Sequence, residues 1–197
     1  MQAAERIERK DEISHWARLL LRLPFVVIDT ETTGLDETAR IVSIAVIDRE
    51  GRTLIDTLVN PECPIPAEAS GIHGLNDADV AGAPTFSAIY PMLRRVLQAR
   101  VWVGYNIDFD ARIIRQDCER CGLPVCQPAR LDDMPAYEDA MTAYAQFYGA
   151  FSSYHGNYKW QKLTAAAEQC GINSGEAHHA LADALTTLEV IRYLARY

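Results

Sequence analysis

Asp29 and Glu31 close a run of apolar residues, Phe25-Val26-Val27-Ile28, with one threonine between them. Such a run reads as a buried strand. Side chains alternate along a strand, so the two carboxylates point to the same face. Side by side they repel unless something positive lies between them. A divalent cation meets that need, and carboxylate oxygens suit Mg²⁺ or Mn²⁺. Thr32-Thr33-Gly34 follows, adding hydroxyls, backbone N–H groups and a flexible turn. On these residues alone, a solvated acidic strand end remains an alternative.

Two further segments carry groups of the same kind. Asp110 lies in Tyr105-Asn106-Ile107-Asp108-Phe109-Asp110, after the short apolar run Val101-Trp102-Val103. By itself it reads equally as an acid favoured by the dipole of a helix N-terminus. His178-His179-Ala180-Leu181-Ala182-Asp183 opens the last helix, where Leu181 and Leu185 are expected to face the core and leave Asp183 beside the sheet. A histidine beside a metal-bound water can act as general base, its unperturbed pKa being about 6.5. Helix geometry pairs His179 with Asp183, since positions i and i+4 share a face.

The elements that must position these groups are legible in outline. Residues 5–23 form an amphipathic segment with Ile13, Trp16, Leu20 and Leu23 near helical spacing, stopped by Pro24. This gives an N-terminal helical extension over 1–24 ahead of a domain over 25–197. Ile41–Ile47 and Leu54–Val59 read as two strands joined in a hairpin through Arg49-Glu50-Gly51. Residues 60–84 predict a long loop or short helices. Phe86, Ile89, Leu93 and Val96 mark a helix in which Pro91 implies a kink or a late start. A helix from Phe109 ends at Gly122. Residues 135–149 look helical, 150–158 form a polar aromatic loop, and Trp160–Cys170 predicts a helix capped by Gly171. The last helix runs from about His179 to Arg196, with Leu181, Leu185, Leu188 and Ile191 on its core side. Strands come first and helices dominate later, which predicts a mixed sheet with helices packed on it.

Composition narrows the function classes. The 197 residues suffice for one sizeable core. A net charge of −8 argues against a passive nucleic-acid binder held by counterion release, though not against an enzyme that recruits cations. The stretch Arg94–Arg130 is arginine-rich and could touch phosphates, or simply form solvated helix faces. No apolar run is long enough for a membrane span, and no signal-type stretch follows the charged N-terminus, so a cytoplasmic protein is expected. Five cysteines do not make a disulfide scaffold. Cys118, Cys121 and Cys126 cluster without a fourth zinc ligand at useful spacing, so buried or free thiols are expected there.

In this order, Asp29-x-Glu31-Thr-Thr-Gly, Asn106-x-x-Phe109-Asp110 and His178-x-Ala-Leu-x-Asp183 resemble the three exonuclease motifs of the DnaQ-like superfamily. That superfamily is typified by the proofreading epsilon subunit of bacterial DNA polymerase III. Ile72-His73-Gly74-Leu75 resembles its His-Gly segment, and the match covers about residues 25–195. The second motif departs from the usual His-Asn opening, reading Tyr105-Asn106, and the strand expected near Arg130-Leu131-Asp132 is weak.

The resemblance implies an α/β ribonuclease-H-like fold with a mixed five-stranded sheet flanked by helices. It implies a 3′→5′ exonuclease of the histidine-bearing four-acid branch. Asp29, Glu31 and Asp183 would hold one divalent cation, and Asp29 and Asp110 would help hold a second, the two metals clamping an in-line displacement. That branch places its histidine five residues before the last aspartate, which selects His178. Thr32, Thr33, the wedge-like Leu35, His73, Asn106 and Phe109 become candidates for holding the terminal nucleotide, with core packing as the alternative for Leu35 and Phe109. The expected partner is the 3′ end of single-stranded DNA, with RNA 3′ ends as the alternative. The chain ends at Tyr197 just after its last helix, which favours a stand-alone exonuclease over a tethered polymerase subunit.

Overall fold

A computed structural model describes residues 3–129, 136–175 and 178–197. Its centre is a sheet of five strands: β1 (Phe25–Thr32), β2 (Ile41–Asp48), β3 (Thr53–Leu58), β4 (Val101–Gly104) and β5 (Tyr137–Asp139). Their order is β3-β2-β1-β4-β5. β2 runs antiparallel to β1 and β3, while β4 and β5 run parallel to β1. The sheet is therefore mixed, with helices on both faces, as expected. β2 is buried along its whole length, as befits a strand covered on both faces.

The helices are α1 (Ala3–Leu20), α2 (Ala67–His73), α3 (Asp77–Val80), α4 (Phe86–Leu97), α5 (Ile107–Arg120), α6 (Ala140–Tyr148), α7 (Leu163–Gln169) and α8 (Ala180–Arg196). A short hairpin of two-residue strands, β6 (Phe151–Ser152) and β7 (Asn157–Tyr158), lies between α6 and α7. Alternation along β1 divides the core in two. Phe25 and Val27 pack with α1, α6, α7 and α8, whereas Val26 and Ile28 pack with α4 and α5. No helix among the described residues is long and apolar enough to cross a membrane.

Helix α1 lies against the sheet domain and buries Ala17 and Leu20 completely. The Ser14 hydroxyl donates to the Leu194 carbonyl at 2.7 Å, and the Trp16 indole donates to the buried Glu138 carboxylate at 2.8 Å. Lys10 sits over the rings of Phe147 and Tyr197.

Several expectations need correction. Residues 137–139 are a strand, not the start of a helix. A three-residue edge strand has no periodicity to read and exists because β4 offers it backbone partners. The weak strand expected at 130–132 lies outside the described residues. Helix α7 begins at Leu163, leaving Trp160 outside it and 63% exposed. Helix α4 starts at Phe86 and continues through Pro91, so the start is not late. Helix α8 turns Ala180, Ala184, Leu188 and Ile191 inward, while Leu185 is 39% exposed. The small alanines let the first turns approach the sheet, and the leucine stripe expected from the sequence is rotated accordingly.

Candidate active site

β1 outruns its neighbour. It pairs with β4 only over Phe25–Val27, but with β2 through Thr32. Asp29 and Glu31 therefore lie beyond the last β4 pairing, at an open sheet edge. The chain leaving β4 turns at once into α5. A Cβ on Gly104 would lie 3.0–3.2 Å from Ile107, so glycine is what allows the helix to start so close. Asn106 adopts a left-handed φ of 75° at this turn, and its N–H donates to Asp139 Oδ1 at 2.9 Å. Asp139 also caps α6 through the Met141 N–H. This junction sets Asp110 in the first turn of α5, where it is 4% exposed.

Alternation sends Thr30 to the α5 face while Asp29 and Glu31 point to the α8 face. The Thr30 hydroxyl donates to Asp110 Oδ1 at 2.7 Å. Thr30 thus ties the two carboxylate-bearing elements together. Sequence reasoning passed over it, although the alternation of Asp29-Thr30-Glu31 already assigns it to the opposite face.

The third element is α8. Its N-cap is His179, with extended backbone, and His178 before it has a left-handed φ of 63°. The His178 N–H donates to Asp183 Oδ2 at 3.1 Å, and the Asp183 N–H begins the helix by donating to the His179 carbonyl at 3.0 Å. His179 stands at the N-cap rather than within the helix, so the face shared by positions i and i+4 does not by itself fix where its side chain lies. Charge on His178 is felt at both Asp183 and His73, whereas that on His179 is felt at Asp183.

Asp29, Glu31 and Asp183 each present an oxygen within 4.8 Å of the others. Burial, with repulsion from Asp110, Asp183 and Glu31, holds the Asp29 carboxyl well above the usual range. Burial and the fields of Asp183 and Asp110 push Glu31 up to about 7. Burial pushes Asp110 up to about 7 as well, against the Thr30 hydrogen bond. Asp183 is raised by burial, against the His178 N–H. Among the described residues, no lysine or arginine forms an ion pair with any of the four. Mutually repelling carboxylates with no lysine or arginine paired to them are a donor set suited to hard divalent cations.

Beside the carboxylates opens a cavity of about 430 Å³, walled in part by Glu31, Thr32, Thr33, Leu35, His73 and Phe109. Leu35 is 77% exposed, which excludes core packing as its role. His73 Nδ1 accepts the Leu75 N–H at 3.1 Å, while its buried Nε2 has no hydrogen-bond partner. Burial lowers the His73 pKa, and the nearby His178 adds to this against the Thr32 backbone. Asn106 stands apart from the cavity wall, at the start of α5. Cys118, Cys121 and Cys126 are free thiols.

A carboxylate cluster at the end of a central strand, with an adjoining slot, defines a class of hydrolytic site suited to cation-assisted chemistry on phosphate esters. The protein-family model described as Exonuclease matches residues 26–191, and the chain belongs to that family. It is 41% identical over 188 residues to "Uncharacterized exonuclease CP81" of Escherichia phage 186, covering 93% of this chain and 94% of that one. It is 37% identical over 102 residues to a "DNA polymerase III subunit epsilon-like protein" of Rhodobacter capsulatus, covering 48% of this chain but 14% of that protein. Among solved structures, E. coli Exonuclease I in complex with a dA16 oligonucleotide superposes with a TM-score of 0.69 at 18% identity, covering 85% of this chain and 39% of that one. That likeness establishes the ribonuclease-H-like fold.

Proposed function

We propose that this chain is a metal-dependent 3′→5′ exonuclease of the histidine-bearing four-acid branch, releasing nucleoside 5′-monophosphates from single-stranded DNA. The observation that carries this reading is the convergence of Asp29, Glu31 and Asp183 within 4.8 Å, beside a cavity in the size range of small-ligand sites. The choice of DNA draws on the solved complex of Exonuclease I with a DNA oligonucleotide.

Asp29, Glu31 and Asp183 would hold one divalent cation, and Asp29 with Asp110 a second. When bound, such cations supply positive charge against the carboxylates and Lewis acidity toward the phosphoryl oxygens. The chain's own residues do the rest. Leu35 and Phe109 offer apolar faces to the terminal base, a contact that tolerates any sequence. Thr32 and Thr33 present backbone and hydroxyl groups to the terminal sugar, and His73 stands in the same wall. His178 is held off the helix by its left-handed backbone and anchored through its N–H to Asp183. From there its imidazole accepts a proton from the attacking water. The water oxygen bonds to phosphorus, the bond from phosphorus to the 3′ oxygen breaks, and that oxygen leaves with the shortened strand and takes up a proton.

The test is incubation of 3′-labelled single-stranded DNA and matched RNA with Mg²⁺, Mn²⁺ or EDTA. Labelled mononucleotide should appear first from DNA, only with a divalent cation, and a 3′-phosphate should block it while a 5′ block does not. Faster digestion of the RNA would reassign the substrate. Digestion of a 3′-blocked strand together with resistance of a 5′-blocked one would reject the proposed polarity.

A further inference from the structure

Residues 33–40 join β1 to β2 and carry Leu35 at the rim of the cavity. The base of this loop is closed, with the Thr33 N–H donating to the Arg40 carbonyl at 2.9 Å and the Arg40 N–H donating to Thr33 Oγ1 at 3.0 Å. Four successive carbonyls in the loop find their donors on α5. Arg112 donates to the carbonyls of Leu35 at 3.0 Å and Asp36 at 3.3 Å. Gln116 donates to Glu37 at 2.7 Å and Asp36 at 3.2 Å, and Arg120 reaches Thr38 at 3.4 Å. These side chains sit at i, i+4 and i+8, on one helix face.

Arg112 is the member that touches both walls of the slot. One edge of its guanidinium holds the Leu35 carbonyl, and its Cζ lies over the Phe109 ring, 5.1 Å from the centroid. It also donates to Gln116 Oε1 at 2.7 Å, which braces it along the helix. A planar fork can grip two carbonyls and stack on a ring together, as an ammonium cannot.

We propose that Arg112 is a positioning residue that sets the gap between Leu35 and Phe109 and thereby the grip on the 3′-terminal base, with Gln116 as its brace. The inference rests on reading the cavity as the seat of the terminal nucleotide. Arg112 acts through Leu35 and Phe109. Its loss therefore loosens binding of the strand end without removing a carboxylate or the proton acceptor.

The experiment compares Arg112→Ala, Arg112→Lys and Gln116→Ala with the parent chain. It measures kcat and KM on single-stranded DNA, the inhibition constant of the product dTMP, and thermal melting. Arg112→Ala should raise KM and the dTMP inhibition constant together, by about tenfold, with kcat within about threefold. Arg112→Lys should fall in between, and Gln116→Ala should show a smaller rise in the same two constants. A merely structural role would lower the melting temperature and the active fraction, and hence kcat, while leaving KM and dTMP inhibition unmoved; that result overturns the proposal. Should Arg112→Ala fail to fold, unchanged constants in Arg112→Lys and Gln116→Ala overturn it equally. A parent chain that cleaves DNA and binds dTMP while the variants match it rejects the clamp alone. A parent chain that releases no nucleotide rejects the proposed function and the clamp with it.

Discussion

Helix α5 buries two aspartates seven residues apart, and the chain treats them in opposite ways. Asp110 and Asp117 are each 4% exposed. Asp117 is surrounded by donors: it pairs with Arg120 and accepts the Ile41 N–H at 3.1 Å. Burial raises its pKa, but Ile41, Arg120 and Arg40 all act against that rise. Asp110 accepts from the Thr30 hydroxyl and from backbone N–H groups but, among the described residues, faces no lysine or arginine, and it adds to a field of acids, raising both Asp29 and Glu31. A buried acid whose donors come from the chain is part of the architecture. One whose nearest charges are other acids is a demand for a cation from outside.

The sharpest way to break this comparison is to remove acids from each place. Asp29→Asn, Glu31→Gln, Asp110→Asn and Asp183→Asn should each lower nuclease activity by at least about 10³-fold. In EDTA the same proteins should melt at higher temperature than the parent, because a repelling charge is gone. Asp117→Asn should do the reverse, keeping activity per folded molecule and losing about 1–3 kcal/mol of stability, because the Ile41 N–H and Arg120 use separate oxygens and one of the two becomes an amide NH2. Activity assays with chemical denaturation in EDTA check both halves. Parent-like activity in Asp29→Asn would sink the site, and an inactive but stable Asp117→Asn would erase the distinction between the two acids.

A second effect, about 10²–10⁴-fold in rate, belongs to the residue next to the acids. His178→Ala should bind metal and a strand end normally yet turn over slowly, while His179→Ala should lose much less. Single-turnover rates at saturating Mg²⁺ decide it. If His179→Ala is the slower protein, the proton acceptor is the N-cap histidine.

What the sequence disclosed follows from how local each feature is. Asp29 and Glu31 at a strand end, Asp110 at a helix start and Asp183 in the first turn of α8 are set by a few neighbouring residues, and side-chain alternation locates them. Thr30 meeting Asp110 is an encounter across 80 positions, and only the folded sheet creates it. The strand Tyr137–Asp139 is likewise borrowed from β4. The exposed placement of Leu35 was beyond periodicity too, because Arg112 and Gln116 hold its loop from a distant helix. The choice of His178 over His179 rests on the resemblance, because periodicity fixes where a helix begins only within a residue or two.

The subtlest consequence of the contrast concerns pH. In the folded, metal-free chain, Glu31 and Asp110 keep their protons up to about pH 7, whereas their ordinary values are 4.5 and 3.8. Between those limits the unfolded chain has released protons that the folded chain still holds. Stability must then fall as pH rises through the window from about 4.5 to about 7. A carboxylate satisfied by chain donors gives the opposite slope, as expected for Asp48, whose pKa is lowered by its Arg52 and Glu50 contacts despite some burial. Thermal melts in EDTA from pH 5 to pH 8 should therefore decline for the parent and flatten in Glu31→Gln and Asp110→Asn. With saturating Mn²⁺ the decline should shrink or reverse, because the cation binds the deprotonated carboxylates and gains affinity as they lose protons. Metal-free stability that climbs from pH 5 to pH 7.5 would mean that Glu31 and Asp110 are already paired within the chain, and the reading of them as acids awaiting a cation would fail.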